Sequence, residues 1–296
     1  MIQFIKRSIT MIKVIKSGLV CSVQDPGRFG YRHLGVPISG WMDEKSALAA
    51  NSILGNDEKD AVIEMGPVGM EILFLEETNI VLTGAPKHTL INQKRVSFNS
   101  RLHLSIGDTI KIKTGNKGVW TYLAIDGGIQ KELTLGSRSF YLPAKIGHTL
   151  LSGFELAINK GQNLSNADLN SRIKFDHLFN ENYIRVRKGP EYDMLSDVQK
   201  QTIFNSPFTI GANSNRMGYY LMPLNSKLLS GLPDIITSVV SPGSIQLPPS
   251  GTPIALMKDC QTTGGYARIL QVLQEDLSVL AQKRPDAKVY LSLYQG

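Results

Sequence analysis

Short apolar runs separated by turn-forming residues constrain the fold of this sequence more than any other feature. Gly, Pro, Asn and Asp stand between these runs, which recur at intervals of about ten residues, and strands at that spacing are typical of β-barrels or sandwiches. The runs that predict strands are residues 12–15, 62–65, 70–75, 80–82, 110–112, 119–125, 183–186, 235–240, 254–257 and 289–293. The sequence therefore predicts a mainly β chain with a few helices.

Three segments predict helices. The first follows a candidate N-cap at Asp43 and ends at Gly55. The second follows a candidate cap at Ser196 and ends before Pro207. A shorter third helix is predicted over residues 275–282.

Two segments, 107–112 and 285–290, each place an Asp-containing turn before an alternating strand. That arrangement is common in any β protein, so taken alone it leaves open whether the chain contains two related halves. The polar stretch 159–170 is the best candidate for a junction between such halves.

Charge and cysteine content narrow the class of protein. The net charge is +7, but the basic residues are scattered along the sequence, with the densest group at 185–188, so we expect no nucleic-acid partner. Cys21 and Cys260 are the two cysteines and form neither a disulfide framework nor a metal-binding pattern. No apolar run approaches the roughly 20 residues of a membrane helix, so we expect a soluble cytoplasmic protein without a membrane partner.

General catalytic signatures are absent from the sequence. It contains no phosphate-binding loop, dinucleotide fingerprint, zinc-protease motif or nucleophile elbow. The five histidines have no ligand-like spacing, and we expect no metal held by protein ligands. A nucleotide would therefore be bound by another arrangement.

Three segments concentrate polar and conformationally special residues, at 22–43, 211–218 and 259–266. The first is a predicted loop of about twenty residues, a length that is uncommon without a function. Arg28 and Arg216 lie in the first two segments, and each can bind a carboxylate or phosphate through two N–H groups.

Other groups in these segments suit a small anionic amide. Gln261 and Asn213 offer an amide donor and acceptor together, which matches the edge of a lactam. Backbone N–H groups of Thr262, Thr263 and the glycines after them can approach an anion closely, and Asp25 can act as a base. The same sequences also occur in ordinary turns, and arginines also pair with acids at the surface, so the residues alone leave a purely structural role open.

Five motifs in these regions resemble the signatures of one family, that of biotin-dependent carboxyltransferases and allophanate hydrolase subunit 2, which includes 5-oxoprolinase C subunits and KipA. The motifs are Ser-Val-Gln-Asp-Pro-Gly-Arg at 22–28, Gly-Val-Pro, Ser-Gly and Met-Asp within 35–43, Ser-Asn-Arg-Met-Gly-Tyr at 214–219, Pro-Gly-Ser-Ile-Gln-Leu-Pro-Pro at 242–249 and Gln-Thr-Thr-Gly-Gly-Tyr at 261–266. Residues 127–129 and 136–139 also fit, and the resemblance spans nearly the whole chain.

The resemblance implies two cyclophilin-like β-barrel units, which we place at residues 12–165 and 166–296. It implies a subunit of an ATP-dependent 5-oxoprolinase, active only in complex with a KipI-like B-type subunit and a lactam-hydrolysing A-type subunit. The implied reaction opens 5-oxo-L-proline to L-glutamate with ATP as co-substrate and Mg²⁺ accompanying it. No biotin is expected on this chain, because Met-Lys-Asp at 257–259 does not match a biotinyl-lysine motif.

The resemblance and the residue chemistry together define a candidate site. The expected catalytic residues are Asp25, Arg28, Asp43 and Arg216. The expected substrate-binding residues are Gln24, Arg138, Asn213, Asn215, Gln246, Gln261, Thr262, Thr263, Gly264, Gly265 and Tyr266. In one departure from relatives, Cys260 occupies a position that is often basic, and contact of that side chain with substrate would weaken the phosphate-binding assignment.

Two other functions are compatible with the resemblance. One is a carboxyltransferase component of a urea- or allophanate-type biotin-dependent system, which normally belongs to a larger polypeptide. The other is a non-catalytic KipA-type regulator that binds a KipI-like kinase inhibitor.

Overall fold

A computed structural model describes residues 10–113, 115–159 and 176–295. The described chain forms two compact units: the second comprises Pro26–Lys45, Lys117–Trp120 and the residues from 176 onward, and the first comprises the rest. The predicted boundary between residues 165 and 166 lies outside the described residues and stays a prediction. Of the predicted junction at 159–170, only residue 159 is described.

The first unit consists of antiparallel sheets that share one apolar core. Its strands, numbered along the chain, are β1 (Thr10–Lys16), β2 (Cys21–Gln24), β3 (Val62–Met65), β4 (Glu71–Phe74), β5 (Thr78–Gly84), β6 (Thr89–Ile91), β7 (Lys94–Arg95), β8 (Arg101–Leu104), β9 (Thr109–Ile112), β10 (Thr121–Ile125) and β11 (Glu155–Ile158). One sheet has the order β11-β1-β4-β9-β6-β7 and the other the order β2-β3-β10-β5-β8. The core contains buried residues of both sheets, such as Ile72 of β4 and Ile63 of β3.

The second unit is built on a closed seven-stranded barrel with the order β12-β19-β16-β17-β14-β13-β20. Its strands are β12 (Tyr183–Lys188), β13 (Phe208–Ile210), β14 (Gly218–Pro223), β16 (Ser244–Leu247), β17 (Ile254–Leu256), β19 (Ala267–Val272) and β20 (Lys288–Leu293). A separate two-stranded ribbon joins β15 (Ser238–Val239) to β18 (Thr263–Gly264). The parallel pair of β12 with β20 closes the barrel, and its other pairs are antiparallel.

The helices are α1 (Glu44–Leu54), α2 (Asp176–Asn180), α3 (Asp197–Asn205) and α4 (Gln274–Ala281). Helix α1 ends as predicted at Gly55, whose φ of 75° is left-handed. Helix α3 begins with a complete capping box, in which Ser196 and Gln199 each accept from the backbone N–H of the other. Helix α4 lies within one residue of its predicted bounds at each end.

The prediction of a mainly β chain with two β units and a few helices is confirmed, and every predicted strand segment overlaps an observed strand. Helix α2 was not predicted, and neither were strands β2, β6, β7, β8, β11, β13, β14, β16, β18 and β19. Within the described ranges, no helix is long and apolar enough to cross a membrane.

Candidate functional site

The three polar segments meet in the second unit through hydrogen bonds between their turns. The Ser39 N–H donates to the Lys258 carbonyl at 3.0 Å, and the Asp259 N–H donates to the Arg216 carbonyl at 2.8 Å. Nη2 of Arg216 donates to the Gly40 carbonyl at 2.8 Å. Residues far apart in the sequence, around positions 40, 216 and 259, therefore form one cluster of turns.

Arg216 forms a buried ion pair at the centre of this cluster. Its Nε and Nη2 atoms donate to the two carboxylate oxygens of Asp259 at 2.7 and 2.9 Å. The exposed fractions of the two residues are only 8% and 4%, so the planar guanidinium is oriented by the protein's own carboxylate. Contact of Arg216 with a substrate anion stays a prediction, and Asp259 was missed by the sequence analysis.

The loop that carries Arg28 is packed tightly against itself. The Arg28 side chain is fully buried, and its backbone N–H donates to the Ile38 carbonyl at 2.7 Å. A Cβ atom on Gly27 would lie 2.7 Å from Cγ2 of Ile38, and the φ of Gly27 is 116°, so only glycine fits there. Arg32, further along the loop, donates to the carbonyls of Val240 and Thr262 and thereby ties the loop to the third polar segment.

Asp43 lies directly before α1 and is fully buried. Its Oδ2 accepts a hydrogen bond from Nε2 of Gln282 at 2.7 Å. Gln282, which directly follows α4, was missed by the sequence analysis, because a single glutamine near a helix end has no sequence signature.

An accessible part of the site is formed by two glutamines and the ribbon. Nε2 of Gln261 donates to Oε1 of Gln246 at 3.2 Å, and Nε2 of Gln246 donates to the Tyr266 carbonyl at 3.1 Å. Thr263 and Gly264 are paired in the β15–β18 ribbon. Gln261 is half-buried and the Tyr266 side chain is exposed, so this surface can meet a ligand.

The structure also brings Thr262 and Gly265 to this ribbon through backbone hydrogen bonds. The Val240 N–H donates to the Thr262 carbonyl at 3.1 Å, and the Ile235 N–H donates to the Gly265 carbonyl at 2.8 Å. Residues 262–265 therefore form part of a paired ribbon, and the approach of their backbone N–H groups to an anion stays a prediction.

Asn213 and Asn215 belong to a different feature of the second unit. Asn213 is exposed and lines a cleft of about 570 Å³ together with Tyr220, Met222 and Asp286, and neither Arg216 nor Gln261 is among the described lining residues. Asn215 accepts from the Met217 N–H at 2.8 Å and stabilises its own turn. The structure thus does not place Asn213 beside the glutamine pair.

Asp25, Gln24 and Arg138 lie in the first unit. Oδ1 of Asp25 accepts from the hydroxyls of Ser137 and Ser139, both at 2.6 Å, and its Oδ2 accepts from the Arg138 N–H at 2.6 Å. Gln24 is fully buried and donates to a serine hydroxyl at 2.9 Å. Because both oxygens of Asp25 are engaged, this geometry describes an anchor for the turn at 136–139, and its role as a base stays a prediction.

Cys260 is a core residue. It is 3% exposed and packs with Val240 and Leu256, and burial raises the pKa of its thiol to about 12 although the positive charge of Arg32 opposes the rise. The side chain therefore lies in the apolar core, away from solvent. Among the described residues, no group of three or more His, Cys, Asp or Glu could hold a metal ion.

This fold, with a closed β-barrel and a cluster of polar turns, is that of a carboxyltransferase-type domain. The family described as "Carboxyltransferase domain, subdomain A and B" matches residues 34–293, and the chain belongs to this family.

Two bacterial proteins and one solved structure are similar to this chain over most of its length. The chain is 33% identical to the C subunit of 5-oxoprolinase from Escherichia coli over 92% of its own length and 87% of the relative. It is 33% identical to the C subunit of 5-oxoprolinase from Haemophilus influenzae over 93% of its own length and 88% of the relative. The crystal structure of Kluyveromyces lactis urea carboxylase superimposes with a TM-score of 0.86 at 27% identity, over 97% of this chain and 28% of that one. The chain thus spans less than a third of the urea carboxylase and nearly all of the two bacterial relatives.

Proposed function

We propose that this chain is the C subunit of an ATP-dependent 5-oxoprolinase, which acts with a B-type and an A-type subunit to open 5-oxo-L-proline to L-glutamate. The observation that carries this proposal is the length of the match, which covers 92% of this chain and 87% of a relative that bears this name. The match to the urea carboxylase covers only 28% of that protein and leaves the rest of it without a counterpart in this sequence.

The reaction requires a site with hydrogen-bond donors that point at the lactam oxygen. A five-membered lactam is a resonance-stabilised amide, and transfer of a phosphoryl group to its oxygen makes the ring carbon open to attack by water. Developing charge on that oxygen is stabilised by preorganised donors and cations. Gln261, held by Gln246, would orient the lactam edge, and the buried Arg216–Asp259 pair would keep the surrounding turns rigid.

Reconstitution of the complex tests this function. The chain is combined with B- and A-type subunits, and phosphate release from ATP is measured with 5-oxoproline or urea, omitting one component at a time. We expect turnover that needs 5-oxoproline and all three chains. Turnover driven by urea, or turnover unchanged without this chain, would contradict the proposal.

The Gln261→Met variant tests the site within the same assay. Loss of the amide should lower kcat/KM for 5-oxoproline about 10-fold, the usual cost of one hydrogen bond. Gln201→Met, at an exposed position of α3, is the matched control and should behave as the wild type. Equal activity of the two variants would remove Gln261 from the site.

A carboxyltransferase role in a urea-type system is the second candidate, favoured by the TM-score of 0.86 to the urea carboxylase. A separate arm with urea and a carboxybiotin carrier, in which transfer of the carboxyl group to urea is measured directly, distinguishes the two.

A further inference from the structure

Gln282, directly after α4, is bound on every side by hydrogen bonds. Its exposed fraction is 2%. Oε1 accepts from the backbone N–H groups of Val119 and Trp120 at 2.8 and 3.0 Å. Nε2 donates to the Trp120 carbonyl at 2.9 Å and to Oδ2 of Asp43 at 2.7 Å. A side-chain amide has two donor hydrogens and two acceptor lone pairs, so this one amide is fully used and fits in one orientation only.

Trp120, whose backbone Gln282 holds, also contacts Arg216. The Arg216 guanidinium carbon lies 5.9 Å from the centre of the Trp120 ring, within the range of a cation–π contact. Nε1 of the indole donates to the Tyr219 hydroxyl at 3.1 Å, and that hydroxyl donates to the Ala281 carbonyl at 2.8 Å. The ring is therefore held at its edge by Tyr219, which is itself bound to Ala281, the residue that directly precedes Gln282.

Gln282 thus binds Asp43 directly and holds the backbone of Trp120, whose ring the Arg216 guanidinium contacts. We infer that Gln282 is a positioning residue of this site: it holds Asp43, and through the Trp120 backbone it supports the ring beside the Arg216 guanidinium. The effect of Gln282 on turnover rests on the proposed function. The support that Gln282 gives to Trp120 is independent of that function. Misplacement of a catalytic group by about 1 Å can cost 100-fold in rate, so a distant amide can control turnover without touching substrate.

The experiment replaces Gln282 by Met, which has a similar length and no hydrogen-bonding amide. The assay uses the reconstituted complex at a temperature well below the unfolding temperature of the variant. We expect kcat to fall about 100-fold while KM changes far less. A purely structural role would lower the unfolding temperature and leave kcat of the folded protein unchanged. Gln274→Met, at the exposed start of α4, is the matched control and should retain kcat.

Fluorescence provides a readout that needs no turnover. The chain has two tryptophans, so the Trp41→Phe variant leaves Trp120 as the only one. In that background, Gln282→Met should increase acrylamide quenching of Trp120, and Gln274→Met should not. If Gln282→Met does not fold, Gln282→Glu replaces it. The glutamate can still accept from the Val119 and Trp120 N–H groups, but it places an oxygen against the Asp43 carboxylate. We expect the same fall in kcat and the same increase in quenching.

The outcomes separate the inference from the proposed function. A wild-type complex without 5-oxoproline-dependent turnover contradicts the function, and quenching then still tests the hold on Trp120. An active wild type with unchanged kcat in the folded Gln282 variant, Met or Glu, overturns the inference. So does a loss of kcat with unchanged quenching of Trp120, because the effect would then not pass through that residue.

Discussion

At the scale of single residues, Gly264 controls the geometry of the glutamine pair. A Cβ atom at this position would lie 2.8 Å from Nε2 of Gln246 and 3.4 Å from Nε2 of Gln261. Gln246 is 1% exposed and its Nε2 donates to the Tyr266 carbonyl, so it cannot move without losing that bond. Gly264→Ala should therefore destabilise the protein by about 1–3 kcal/mol, as overpacking typically does, measured by urea unfolding.

Gly265 provides the control for this prediction. A Cβ atom there would meet its nearest atom, the Ile235 carbonyl oxygen, at 3.5 Å, which is ordinary contact. Gly265→Ala should therefore unfold at nearly the wild-type urea concentration. Equal destabilisation of the two alanine variants would mean that the glutamine pair is not what Gly264 accommodates.

The sequence predicted which residue types gather at the site better than it predicted their exposure. The predicted reactive groups include Arg28, Asp43 and Arg216, and the structure buries all three. Sequence patterns do not show this, because burial depends on contacts made by distant segments. Asp25 shows how distant such contacts are in the sequence. The hydroxyls that bind its carboxylate belong to Ser137 and Ser139, 112 and 114 residues away. No local pattern could identify these partners.

At the scale of elements, an ion pair joins the 3₁₀ turn Tyr192–Met194 to β19. Nη2 and Nε of Arg268 donate to the two carboxylate oxygens of Glu191, which directly precedes the turn, at 2.6 and 2.9 Å. Hydrogen bonding by Arg268 lowers the pKa of Glu191 below its ordinary value. A carboxyl with a lowered folded-state pKa adds stability at pH values above its unfolded-state pKa, and that stability is lost as the pH falls through the folded-state pKa.

Glu191→Gln should therefore destabilise the protein by about 2 kcal/mol at neutral pH, the usual size for hydrogen bonds to a charged group. The difference from wild type should shrink as the pH falls below the ordinary range of glutamate, as followed by urea unfolding at several pH values. Asp197→Asn is the control, because Asp197 is 95% exposed and 3.9 Å from its partner Lys200. A Glu191→Gln difference that stays constant with pH would contradict the assignment.

The predicted strands are all apolar or alternating runs, whereas the missed strands include apolar ones, such as β19, and buried ones that carry polar residues. All four residues of β2 are buried, including Ser22 and Gln24, and β16 likewise buries Ser244 and Gln246. Hydrophobic periodicity cannot detect such strands, because the partners of their polar side chains, such as the Phe140 carbonyl for Gln24 and the Tyr266 carbonyl for Gln246, lie elsewhere in the sequence. These polar strands are also where the family motifs lie, so the segments hardest to predict as structure are those that carried the resemblance.

At the scale of the whole molecule, the barrel of the second unit depends on its last strand. Strand β20 pairs in parallel with β12 and in antiparallel with β13, so it joins the two ends of the strand order. Val289 and Leu291 of β20 are buried at 0% and 4% exposure. Without β20, both neighbouring strands would have unpaired edges, which are prone to aggregation.

A chain that ends at Ala287 should therefore fail to form a native second unit. Loss of two strand pairings and two buried aliphatic side chains is comparable to the roughly 5–15 kcal/mol by which a domain is stable. We expect weak near-ultraviolet circular dichroism from the second unit's aromatic residues and aggregates in size-exclusion chromatography. A chain that ends at Tyr294, whose N–H donates to the Val186 carbonyl at 2.8 Å, keeps every β20 pairing and should elute and unfold as the full chain does. A cooperative, monodisperse chain ending at Ala287 would show that β12 and β13 need no closing strand, because the rest of the barrel would then hold both edges by itself.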